Sequence, residues 1–111
     1  VQYTCASRTF VQQYGFSDED ISAASHIYLS QYLPRIENQP WGFVCSPRSD
    51  GGVRVSSRSN AGSVNVRDMH ERMNIGGGHD RAAGGNMPNA EPEQCIEVIT
   101  SWMKQNQPLI G

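Results

Sequence analysis

Gly76-Gly77-Gly78-His79-Asp80-Arg81-Ala82-Ala83-Gly84-Gly85 is the stretch on which the reading of this chain turns. Five of its ten residues lack a side chain and two more carry only a methyl group. Glycine loses more backbone freedom on ordering than any other residue, so such a run implies that something comes close to the main chain. Consecutive N–H groups from residues free to adopt positive φ can converge on an anion as a nest, each bond to a charged oxygen being worth about 1.5–3 kcal/mol. The run is therefore expected to be an anion-holding loop, with at least one of Gly76, Gly77 and Gly78 at positive φ and with His79 and Arg81 as donors at its rim. Other glycine signatures fail. A dinucleotide fingerprint needs glycine where Arg81 stands, and a Walker pattern needs a Gly-Lys-Ser/Thr triplet that is absent. No G-x-S-x-G elbow offers a nucleophilic serine.

Working outward from this run, Val53 to Ser57 reads as a strand whose period of two puts Val53, Val55 and Ser57 on one face and Arg54, Ser56 and Arg58 on the other. Trp41 to Cys45 reads as a preceding strand, and the turn Ser49 to Gly52 makes the two a hairpin. Asn65 is expected to cap a short helix with Val66, Met69 and Met73 inward. Pro92 should open a final helix that buries Cys95, Ile99 and Trp102. Near the start, Ser17 and Asp20 resemble a capping box, with Phe16 stapled onto Ile21, for a helix running to Leu33 before Pro34. Its apolar positions are Ile21, Ala24, Tyr28 and Tyr32. Weaker signals place strands at Gln2–Ala6 and Gly85–Met87. The alternation implies one α/β (α+β) domain over residues 1–111, a small mixed sheet with helices packed on it.

Composition narrows the function classes. The net charge of -2 gives no whole-chain argument for a nucleic-acid partner, yet six of the eight arginines fall between positions 48 and 81 against four carboxylates. Arginine's planar fork suits two-point contact with phosphate or carboxylate. Cys5, Cys45 and Cys95 are odd in number and far apart, which fits neither a disulfide framework nor a zinc knuckle, so a reducing, cytoplasmic setting is expected. No apolar run is long enough to span a bilayer, and no membrane partner is expected. Val1 in place of Met suggests a piece of something longer.

The string GGGHDRAAGG, preceded by V-S-S-R-S (Val55–Ser59) and G-S-V-N-V (Gly62–Val66), resembles the DHH-associated domain of type one in both order and spacing. In that family, which includes nanoRNases and single-strand exonucleases, an N-terminal DHH domain carries two manganese ions while the C-terminal domain grips substrate. The resemblance implies a substrate-binding module of a manganese-dependent phosphoesterase acting on short oligonucleotides or nucleotides, with the DHH domain as partner in cis. Carried over by residue, Arg58 and Ser59 stand at the family's R-S, and Gly76, Gly77, Gly78 and His79 at its GGGH. Many members have a further glycine where Ile75 stands. No catalytic or metal residue is expected in this chain: it has no Asp-His-His string, His70-Glu71 and His79-Asp80 lack ligand spacing, and His26 and His70 read as structural. Two other readings are an RNA-binding, dimerising appendage like that of alanyl-tRNA synthetases, whose loops usually lack G-G-G-H, and an interaction domain whose glycines serve packing.

Overall fold

The structure, a computed structural model, describes residues 2–32 and 41–110. Five strands, β1 (Gln2–Cys5), β2 (Trp41–Pro47), β3 (Val53–Ser59), β4 (Gly76–His79) and β5 (Ala82–Met87), form one sheet in the order β1-β2-β3-β5-β4. β1 runs parallel to β2 and the other pairs are antiparallel, so the sheet is mixed as the alternation implies. Around it lie α1 (Arg8–Tyr14), α2 (Asp18–Ile27), α3 (Val66–Arg72) and α4 (Pro92–Gln105). No described helix is long and apolar enough to cross a membrane.

The two faces of the sheet differ because β3 alternates. Val53, Val55 and Ser57 are buried on the side of α3 and α4, in a core with Phe43, Met69, Cys95 and Ile99. Each helix there starts where its residues permit: the Asn65 side chain accepts from Asp68 N (2.9 Å), and Pro92 opens α4 while Gln94 accepts from the Glu91 N–H (2.9 Å). Trp102 is half-buried beneath the Arg72 guanidinium, 5.0 Å from its ring centre. On the other face α2 leans on β2 through a buried hydroxyl pair, Ser25 to Ser46 at 3.0 Å, and the turn that follows α2 sets Leu29 on Val44.

Several expectations are corrected. The Ser17–Asp20 capping box is present, but α2 stops at Ile27 and passes into a π-helical turn, Tyr28–Tyr32. There the Ser30 hydroxyl donates to the His26 carbonyl (2.6 Å), which competes with the regular ladder. Its buried positions are Ser25 and Leu29, not the Ile21–Ala24 stripe, because the helix meets a polar strand face. Leu33, Pro34 and the Tyr32 side chain lie outside the described residues. Phe16 lies against Phe10 and Tyr14, at 6.0 and 6.2 Å between ring centres. α1 was not anticipated: Ser7 caps it by accepting from Phe10 N, and Gly15, at φ 69°, ends it.

From α1 the Arg8 guanidinium fans out to the carbonyls of Arg48 (2.6 Å), Gly51 (3.2 Å), Gly52 (3.0 Å) and Ala90 (2.8 Å). It also pairs with Glu91 at 3.0 Å. One side chain thus ties the β2–β3 turn to the start of α4.

Candidate functional site

The glycine run is a strand, a turn and a strand, which corrects the loop expectation. β4 and β5 pair with Gly76 opposite Gly85, Gly77 opposite Gly84, Gly78 opposite Ala83 and His79 opposite Ala82. Asn86 N donates to the Ile75 carbonyl (2.9 Å), which makes Gly76–Gly85 a non-hydrogen-bonded pair. In that register Gly77 and His79 spend their N–H groups on β5, while those of Gly76 and Gly78 point to the free edge of the sheet. The nest of consecutive amides is therefore replaced by an edge strand with alternate donors outward. Gly78 does have positive φ, 142°, a conformation that side chains rarely adopt.

The turn at Asp80-Arg81 is held from outside itself. Val66 N donates to Asp80 O and Ser59 N to Arg81 O, both at 3.0 Å, and Arg67 pairs with the Asp80 carboxylate at 2.9 Å. Arg81 donates to the Asn60 and Val64 carbonyls, so its guanidinium serves the β3–α3 connection instead of the rim of a loop.

Register places Arg58, Ala82 and His79 in one row across three strands, so the Arg58 and His79 side chains share a face. Arg54, Ser56, Gly84 and Gly77 belong to that face too. Ser59 has the opposite parity, and its hydroxyl donates to the Asp80 carbonyl at 3.4 Å, so it is not brought beside Arg58. Where α2 stands off from this face a cavity of about 270 Å³ opens, lined by Ser22, His26 and Leu29 above and by Arg54, Ser56, Arg58 and Gly84 below. A wider groove of about 550 Å³ continues past Arg54 to Arg48, Asn86 and Asn89.

Charge is unevenly spent along this groove. Arg48 is 4.0 Å from Asp18 and 3.5 Å from Asp50, and away from the groove Arg72 pairs with Asp68 at 3.3 Å. Among the described residues no hydrogen bond or ion pair engages Arg54 or Arg58. Two guanidinium groups thus face a concave polar surface without counterions. The sequence shows both on one strand face, but only the pairing of the other arginines singles them out.

Behind the groove Ser57 and His70 form a fully buried pair, Oγ to Nε2 at 2.7 Å. Burial pushes the His70 pKa below its ordinary value; the Gly84 backbone opposes this and the Arg54 charge adds to it. The unfolded chain takes up a proton first, so the stability from a neutral His70 is complete above about pH 6.5 and drains as pH falls below that through the depressed folded value. The expected result is a thermal midpoint that is level near pH 7.5 and falls by about pH 5.5, above the range of ordinary carboxylates. In His70→Gln the same decline should flatten; an unchanged slope by circular dichroism would assign it to another group.

The three cysteines converge although they are far apart in sequence: Cys5 lies opposite Cys45, and Cys95 reaches both. All are free thiols. The hydrogen bond to Cys95, then burial, push the Cys45 thiol up. Among the described residues no group of three or more His, Cys, Asp or Glu is arranged to hold a metal ion.

Fold and groove define a mixed α/β module with one apolar sheet face and one open, basic face. A family model described as DHHA1 domain matches residues 7–105, and the chain belongs to that family. It is similar in structure to an exopolyphosphatase-related protein from Bacteroides fragilis, with a TM-score of 0.68 and 20% identity over 93% of this chain. The chain spans 28% of that protein's length. No curated protein matches it in sequence.

Proposed function

We propose that this chain is the substrate-gripping domain of a DHH-family phosphoesterase, holding phosphoryl groups of a short oligonucleotide or nucleotide on the open face of β3, β5 and β4. The observation that carries this is the pair of unpartnered arginines, Arg54 and Arg58, on one wall of a groove whose other arginine is already neutralised. Family membership gives the setting. Arg58 would grip a phosphate with its fork, His79 would stand in the same row, and the outward N–H groups of Gly76 and Gly78 would donate to an anion along the edge. Ser59, which supports the hairpin turn, would position this wall and would not touch substrate. Hydrolysis would belong to an N-terminal DHH domain in cis, with its own manganese, in the cytoplasm. The shared alanyl-tRNA synthetase reading is not favoured by any feature of the groove.

The test is an NMR titration of the isotope-labelled chain with the 5′-phosphorylated dinucleotide pApA. Shifts should gather on Arg58, His79 and Gly84, with weak affinity because one wall of a cleft offsets only part of the entropy of fixing a ligand. Manganese should add no turnover. Shifts confined to the α3–α4 side, or turnover that disappears in His79→Ala, would overturn the reading.

A further inference from the structure

We propose that Arg54, laid over the bare backbone of Gly84, is a second phosphate-gripping residue, so that the groove selects ligands with two neighbouring phosphoryl groups over ligands with one. This rests on the phosphate-gripping reading above and adds a selectivity to it.

Arg54 and Arg58 are four residues apart on β3 and share a face, so their Cα atoms stand roughly 13 Å apart at the usual rise of a strand. The Arg54 guanidinium lies forward of its own row. A Cβ added to Gly84 would sit 2.8 Å from Arg54 Cζ and 3.4 Å from Nη1, and Gly84 pairs with Ser56, not with Arg54. The Arg54 side chain has therefore bent forward one same-face position, towards Arg58. That leaves about 7 Å, two strand residues, between the rows on which the two cations act. Such a span matches successive phosphoryl groups along a nucleotide chain. Both residues line the same cavity of about 270 Å³.

Glycine at position 84 has no backbone reason. Its φ lies outside the range reserved for glycine, and the atoms that a Cβ would meet all belong to Arg54. Glycines 76 and 85, by contrast, abut main chain. The role of Gly84 is thus to leave room for a guanidinium. The Arg54 charge is also felt at His70 on the far side of the sheet, as expected of a cation resting on this strand. Gly84 is a positioning residue acting through Arg54.

The experiment compares pApA with ApA, which lacks the terminal phosphate, by NMR titration of the whole chain. Arg54→Met should weaken pApA by about tenfold, the worth of one charge-assisted hydrogen bond, and ApA by less than about twofold. Gly84→Ala should reproduce the pApA loss without lowering the thermal midpoint, since the displaced group is the end of a flexible side chain. In the Arg54→Met background Gly84→Ala should add nothing, a coupling that a merely structural glycine would not show. Equal losses for both dinucleotides, or a Gly84→Ala penalty that persists without Arg54, would overturn the proposal. If Gly84→Ala fails to fold, the Arg54→Met comparison decides. Loss of binding in Arg58→Met with none in Arg54→Met refutes this inference alone; no binding of either dinucleotide to the unaltered chain refutes the phosphate-gripping reading with it.

Discussion

Gly76→Ala should loosen the outer hairpin and lower the thermal midpoint by many degrees, while Gly77→Ala next to it should be almost silent. The difference comes from which atoms a methyl group meets. On Gly76 it would run into the Gly84 carbonyl oxygen and lie 2.6 Å from Gly85 Cα, both main-chain atoms of the paired strand. Opposite residues of a non-hydrogen-bonded pair approach most closely, and here both partners are glycine. Neither strand can yield without breaking its ladder, and forcing volume into a packed site costs about 1–3 kcal/mol or more. On Gly77 the nearest atom is Glu71 Oε1 at 3.6 Å, an ordinary contact with a mobile side chain. A surface change of that kind stays within about 0.5 kcal/mol. Thermal denaturation of the two variants decides, and equal effects would mean that strand pairing is not what these glycines serve.

Arg58→Lys should weaken pApA binding about tenfold or more, with the thermal midpoint unchanged. A lysine keeps the charge but loses the planar fork, so one of two contacts to a phosphate disappears. A hydrogen bond to a charged group is worth about 1.5–3 kcal/mol, and each 1.4 kcal/mol is a factor of ten in affinity. Arg67→Lys is the control, because Arg67 already faces Asp80 at 2.9 Å on the support side of the turn. Equal affinities for the unaltered chain and Arg58→Lys would return Arg58 to ordinary surface.

What could be read in advance follows the range of the forces concerned. Ser17, Asn65 and Pro92 announce helix starts because capping is settled within three residues, and β3 announces its two faces because alternation is local. The glycine run hides its strand for the opposite reason. Glycine has little strand preference of its own, and β4 is a strand because Gly76 can approach Gly85. That pairing is invisible until the partner is known. α1 carried its brackets, Ser7 and Gly15, but buries no residue and so shows no apolar period. The R-S string marks Arg58 as a candidate in the sequence, whereas Arg54 becomes distinct only through Gly84 opposite its neighbour and through the carboxylates that occupy Arg48.

The Arg8 fan gives the domain a stiff end and a soft end. Arg8 ends on four main-chain carbonyls besides the Glu91 carboxylate, so most of this clasp on the β2–β3 turn and the start of α4 rests on backbone oxygens. The buried histidine that acid would have to charge, His70, lies away from this clasp, beneath Gly84. Acidification should therefore open the sheet like a book held at its spine: the glycine hairpin lifts first, and the strands around Arg48 part last.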